Sequence, residues 1–210
     1  MTDRSPTFAP VFGDQWAGMP AALKLHYANR PFCRDRVTVE GTLSVRMGGA
    51  MKLLAPLFGA FGMLTPRDGE DIPCTVHFVS EPDSNAFIFE RWFNFPGRKP
   101  FCFRSRLVPK QGHEVVEYMR CGVGWRCTYS FEDGRVVLTH KGYLLNLFGH
   151  DLPLPWIGEV LLGRGHASEE ASGDQSFRMA MGMKDGLLGA AMAYGYTGEF
   201  TVVRMDMDDG

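Results

Sequence analysis

A carboxylate, a guanidinium and an indole stand among four phenylalanines in the stretch Ala86 to Phe95 (AFIFERWFNF). Read as a strand, it places Phe87, Phe89, Arg91, Phe93 and Phe95 on one face and Ile88, Glu90, Trp92 and Asn94 on the other. A half-buried strand has one apolar and one polar face. A strand apolar on both sides, with a carboxylate among aromatics, suits a sheet packed from outside and lined by a pocket within. The next stretch puts Arg104 and Arg106 opposite Phe101, Phe103 and Leu107, and the one after it sets Glu117 with Met119 against Tyr118 with Arg120. The chemistry these residue types can supply is acid–base work beside a bound polar group. Glu90 and Glu117 are the candidate acid or base, and Arg106 the candidate holder of an oxyanion or carboxylate. Trp92 and Tyr194 shape the pocket, and His140, alternating with Val136 and Leu138, is a further candidate contact. The competing reading is a set of cross-strand ion pairs worth about 0.2–1 kcal/mol each. Burial raises the pKa of a lone Glu and a neighbouring Arg lowers it, so the sequence leaves the protonation state open.

Other chemistries find no support. There is no G-x-G-x-x-G and no phosphate-binding loop of the G-x-x-x-x-G-K type, and no cofactor is expected. His113-Glu114-Val115-Val116-Glu117 lacks the second histidine of a zinc helix and lies in a strand pattern; the 6 histidines show no metal spacing, so no metal is expected. His26, on the apolar face of a helical stretch, reads as a hydrogen-bonded core residue. The 5 cysteines are odd in number and form no C-x-x-C pair, which excludes a disulfide framework and a zinc ribbon and favours the cytoplasm. With 22 Lys+Arg against 24 Asp+Glu, a net charge of −2 and no basic stripe, nucleic acid is not an expected partner. The N-terminus has no apolar core of signal-peptide length, and the longest apolar run, Leu53 to Leu64, spans 12 residues, too few to cross a bilayer. Membrane contact is not expected either.

The elements that must position these residues follow from periodicity and turn signals. Trp16 to Ala28 has helical spacing, Val37 to Val45 is the first strand, and Ala50 to Met63 reads as an apolar helix interrupted at Pro56. Strands are expected at 72–80, 85–95, 101–109, 113–121, 124–131, 135–145, 164–172, 175–183 and 190–203, with a helix in Pro153 to Leu162. The breaks EPDS, FPGRKP, PKQG, CGVG and EDG supply tight reversals, which favour an antiparallel meander over crossover helices. The expected fold is mainly β (α+β): an antiparallel barrel or half-barrel of about ten strands with a few short helices, in one domain over 8–203. Residues 1–7 and 204–210 are expected to be flexible ends.

The chain carries W-x-x-M-P-A-A-L-x-L-H (Trp16 to His26), E-G-T-L-S-V-R (Glu40 to Arg46), F-E-R-W-F-N-F (Phe89 to Phe95) and F-x-S-R-L (Phe103 to Leu107). It continues through V-E-Y-M-R-C-G (Val116 to Gly122), L-P-L-P-W (Leu152 to Trp156), G-H-A-S-E-E (Gly165 to Glu170) and Y-G-Y-T-G-E-F (Tyr194 to Phe200). In their order these segments resemble the bacterial domain of unknown function (DUF) family 4166. The resemblance implies a stand-alone protein similar to domains fused to saccharopine-dehydrogenase-like NAD(P)-dependent oxidoreductases, hence a metabolic accessory or enzymatic context, and it carries over no catalytic set. Two functions are expected from all of this. The first is binding of a small, largely apolar metabolite in a barrel cavity, with a cofactor-free isomerisation or cyclisation as the reaction it could host. The second is a non-catalytic module that docks onto an NAD(P)-dependent oxidoreductase or self-associates as a homodimer, through Leu144–Leu162 and Leu53–Leu64.

Overall fold

Short alternating stretches joined by tight turns form an antiparallel meander, and the computed structural model, which describes residues 5–184, 186, 189 and 193–208, shows that meander rolled shut. The strands are β1 (Arg36–Met47), β2 (Gly69–Ser80), β3 (Phe87–Phe93), β4 (Phe101–Pro109), β5 (Glu114–Met119) and β6 (Val123–Glu132). They continue with β7 (Arg135–Leu147), β8 (His150–Pro153), β9 (Arg164–Ala171), β10 (Ser176–Lys184) and β11 (Tyr194–Asp206). Neighbours run β6-β5-β4-β3-β2-β1-β11-β10-β9-β7, and pairing of β6 with β7 closes a barrel of 10 strands. Closure removes the free edges that a flat sheet of this size would expose.

One strand was not expected. β7 pairs with β9 through Arg135 to Thr139, and with the short β8 through Leu144 to Leu147. The barrel wall therefore forks along β7, and α5 (Trp156–Leu162) bridges from β8 back to β9. Asp133 and Gly134, at φ 49° and 80°, make the two-residue turn between β6 and β7. Positive φ at both centres is the turn geometry that matches strand twist. Phe148 and Gly149 repeat it between β7 and β8, at φ 52° and 84°.

The helices close the ends. The single helix expected over Trp16 to Ala28 is two, α2 (Gln15–Gly18) and α3 (Ala21–His26), preceded by a further turn, α1 (Ala9–Phe12). Pro20 is the cause: the residue before a proline is driven to extended backbone, and Met19 sits at φ −69°, ψ 143°. This segment plugs one barrel end with Phe8 and Phe12 packed on Tyr27 and Tyr129, Phe8 also meeting the edge of Phe87. At the other end lies α4 (Gly49–Ala60), which runs through Pro56 without the expected interruption. Lys52 and Pro56 both lie on the exposed side of the helix, so water can satisfy the carbonyl that the proline ring leaves unbonded.

Asp35 ties the N-terminal plug to the C-terminus. Its carboxylate accepts from the Arg30 amide, Nε and Nη2 and from the Asp208 amide. Burial alone would raise its pKa, but these donors bring it down to about 2. A depressed carboxyl pKa contributes stability that is present above the ordinary value near 4 and lost as pH falls towards about 2. Acid unfolding of the wild type should therefore steepen across that window, whereas Asp35→Asn should be less stable at neutral pH and show a flatter acid limb. Of the ends expected to be flexible, residues 1–4 and 209–210 lie outside the described residues. The Thr7 amide bonds the Asn29 carbonyl, and β11 continues to Asp206.

Candidate functional site

Strand alternation turns one face of β3 into the barrel, and that face is Phe87, Phe89, Arg91 and Phe93. Arg91 is 4% exposed, an arginine in the middle of a barrel. Its guanidinium is contacted on both faces and at both terminal nitrogens. The Cζ lies 4.0 Å from the centroids of both the Phe89 and Phe103 rings, so the cation is sandwiched between two π faces. In a desolvated setting each such contact is worth about 2 kcal/mol. In the plane of the group, Nη2 donates to Ser105 Oγ at 2.6 Å and to Glu117 Oε1 at 2.8 Å, and Nη1 reaches Tyr196 OH at 3.5 Å. Ser105 Oγ donates in turn to Glu117 Oε1 at 2.6 Å. Burial lowers the Arg91 pKa, yet the Glu117 charge and hydrogen bond overcome it and hold the group cationic.

This cluster divides the interior in two. The outer chamber lies under α4, with Met51 and Phe58 above, Phe103, Met119, Trp125, Met181 and Met183 around it, and Arg91, Glu117, Tyr194 and Tyr196 as its polar wall. The chamber is narrow, with a cavity volume of about 50 Å³. The inner chamber, a cavity of only about 30 Å³, lies towards the N-terminal plug and is bordered by Phe89, His26, Tyr27, Tyr129 and Glu169. Arg91, Glu117, Trp125, Met181 and Tyr196 border both. Burial raises the pKa of Tyr194 and Tyr196, so both keep their O–H protons at neutral pH. Tyr194 OH meets Thr65 Oγ1 at 3.2 Å.

Of the residues singled out from sequence, the structure brings Glu117 and Tyr194 together on the outer chamber. His140 stands just behind its wall. Trp125 Nε1 donates to His140 Nδ1 at 3.0 Å. An indole N–H only donates, so Nδ1 is the acceptor and the ring is neutral with its proton on Nε2. Burial lowers the His140 pKa, although Glu159, 3.6 Å from Nε2, pulls the other way. The other three candidates point outward. Glu90 faces Arg104 and Arg36 on the outer surface, Arg106 pairs with Glu81 there, and Trp92 is exposed. The reason is the period of 2 in a strand: Glu90 and Trp92 share the face of β3 opposite to Arg91, which turns inward.

Sequence reasoning passed over Arg91, Ser105 and Tyr196, and with them Glu169. The signal for Arg91 was present, since it is the one charged residue on an otherwise phenylalanine face of β3. Glu169 sits beside the similar Glu170, and nothing in sequence separates the buried one from its exposed neighbour. His26 is buried as expected, with Nε2 3.3 Å from Glu169 Oε2. Among the described residues no group of three His, Cys, Asp or Glu side chains is placed to hold a metal ion, and no helix is long and apolar enough to cross a membrane. The family model described as "Domain of unknown function (DUF4166)" matches residues 19–200, from just before α3 into β11. No curated protein matches the sequence.

Proposed function

The chain belongs to the DUF4166 family, and from the interior of its barrel we propose that it binds a small, largely apolar molecule in the outer chamber, polar end inward. The observation that carries this reading is the contrast on that chamber's wall: five methionines and four aromatic rings surround one compact polar cluster. Methionine walls adapt to irregular apolar shapes. The polar cluster is already balanced, because Glu117 neutralises Arg91. It therefore favours a neutral headgroup, a hydroxyl or carbonyl that accepts from Tyr196 OH, over a carboxylate. That departs from the expectation of an anion held by Arg106, which lies outside the barrel. The same interior carries the acid–base groups that a cofactor-free isomerisation or cyclisation would use. A bacterial, cytoplasmic setting beside an NAD(P)-dependent oxidoreductase is part of this proposal.

Native mass spectrometry of freshly purified protein tests it: a non-covalent species lost on denaturation is the expected result, and an apo mass after challenge with apolar alcohols and ketones would count against it. Met183→Trp should fill the outer chamber and reduce retention of any such ligand at least about tenfold, with little change in the unfolding midpoint.

A specific feature favours a second reading. Phe148 is fully exposed at a hairpin tip and adopts φ 52°, a conformation unfavourable for a bulky residue. Leu147, Leu152 and Trp156 are exposed beside it in sequence, and Leu53, Leu57 and Phe61 are exposed on α4. The β7–β8 hairpin accounts for that φ but not for a bulky apolar side chain at its tip, and self-association through this surface would bury it. Sedimentation over a wide concentration range should then show a dimer that Phe148→Ser abolishes.

A further inference from the structure

In an antiparallel barrel the connections alternate between its two ends. Those after β1, β3, β5, β7 and β10 share the end that α4 covers, and those after β2, β4, β6 and β9 share the plug end. Ten large hydrophobic side chains are exposed among the described residues, and seven of them belong to the α4 end. Leu53 and Leu57 on α4 and Phe61 at its C-cap recur every fourth residue, and with Pro56 and Ala60 they make one exposed apolar stripe. Met51, Ala55 and Gly59 face the core instead. A surface helix ordinarily keeps its outer face polar, yet Lys52 is the only polar residue α4 carries. Leu147, Phe148, Leu152 and Trp156 supply the other four. The two groups are joined through the β5–β6 turn. Gly62 packs so closely on it that a Cβ there would lie 2.8 Å from Arg120 Cβ, and the Asn146 amide donates to the Gly122 carbonyl at 2.8 Å.

Charge separates along the same axis. The connections at the plug end hold Glu81, Asp83, Asp133 and Asp174 against Lys110. The described connections at the α4 end, with β8, hold Lys52, Arg67, Arg98, Lys99 and Arg120 against Asp68, Asp151 and Glu159. These three acids are already met, by Lys52, Lys110 and Arg164. Arg67, Arg98, Lys99 and Arg120 have no acidic partner among the described residues. The strand termini beside them add Arg46 and Lys184 against Glu70 and Asp71, which leaves the excess unchanged. A net charge of −2 conceals this separation, which is why membrane contact is not expected from sequence. We propose that the α4 end docks onto an anionic lipid bilayer, with the α4 stripe in the headgroup–acyl boundary, Phe148 beside it, and the four unpaired cations against lipid phosphates. Apolar burial and charge are the two signals that stable surface binding needs. Docking does not depend on what the outer chamber holds, although the helix that covers the chamber is the part that meets lipid. Self-association would use the same surface, and the rim decides between the two occupants. Paired copies would bring like-charged rims together, whereas an anionic bilayer brings opposite charge.

The test is flotation of the full-length protein with vesicles of phosphatidylcholine alone and of phosphatidylcholine mixed with phosphatidylglycerol. Expected is binding to the mixed vesicles at least about tenfold tighter than to phosphatidylcholine, weakening as salt is raised. Arg98→Gln with Lys99→Gln should weaken binding to the mixed vesicles about 25-fold, at roughly fivefold per cation. Lys24→Gln with Arg34→Gln, at the plug end, should change nothing. Leu57→Trp places an indole on the stripe, and bromine-labelled acyl chains should quench it when vesicles bind. Leu53→Ser with Phe148→Ser should abolish vesicle binding while the protein stays folded, since both side chains are exposed. Equal loss from the plug-end pair overturns the oriented docking, and so does binding without quenching of the added indole. Absence of binding to either vesicle overturns the proposal and leaves ligand retention by the chamber untouched. A dimer that Phe148→Ser dissociates, without vesicle binding, assigns the surface to a second copy instead.

Discussion

Glu117→Ala should destabilise the protein by about 3–5 kcal/mol, because it strips the counter-charge from an arginine that is nearly fully buried. For a chain of this length that corresponds to a fall in Tm of roughly 10 °C. Ser105 compounds the loss, since its hydroxyl donates to the same carboxylate oxygen. The double replacement Arg91→Leu with Glu117→Leu should cost less than Glu117→Ala alone, because an apolar pair leaves no charge uncompensated. Denaturant unfolding of the three variants checks this. If Glu117→Ala unfolds within about 0.5 kcal/mol of the wild type, the size of an ordinary surface change, then Arg91 is hydrated and the polar cluster is not the closed wall described above.

Phe8→Ala should be comparably damaging, at about 3–5 kcal/mol, since large aromatic truncations in a packed core lose both transfer energy and the contacts of the surrounding rings. Phe8 is 1% exposed and packs on Phe12, Tyr27, Phe87 and Tyr129. Its position gives the experiment a second readout. Phe8 precedes the matched span 19–200, yet Tyr27, Phe87 and Tyr129, on which it rests, also border the inner chamber. The variant should therefore open that chamber to water as well as lower the urea midpoint. Faster hydrogen exchange at Glu169 and its strand neighbours, with α4 unaffected, is the expected signature. A lowered midpoint with unchanged exchange there would mean that the plug is held by Phe12 alone.

Much of the barrel is legible in the sequence because its signals are local. Asp133-Gly134 demands a two-residue hairpin whatever surrounds it, and the alternation in β3, β4 and β9 follows from the pleat. β8 escaped because four exposed residues carry no alternation to read. The helix through Pro56 escaped because propensity is a local average and the cost of one missing bond depends on whether solvent can reach the bare carbonyl.

The sequence by itself determined the strand order along the chain, the antiparallel connections, and which residues share a face, so that Arg91 was already grouped with Phe87, Phe89 and Phe93. Which face looks inward was decided only by closure. Pairing of β6 with β7 gives the sheet an inside, sends Glu90, Trp92 and Arg106 to the surface, and gathers Arg91, Ser105, Glu117 and Tyr196 from four strands into one cluster. His26 and Glu169, 143 positions apart, meet for the same reason. Local patterns encode periodicity, and periodicity is blind to which of two faces is in. That choice is made when the chain buries the aromatic faces of β3 and β4 against those of distant strands, a free-energy gain that no short window of sequence contains.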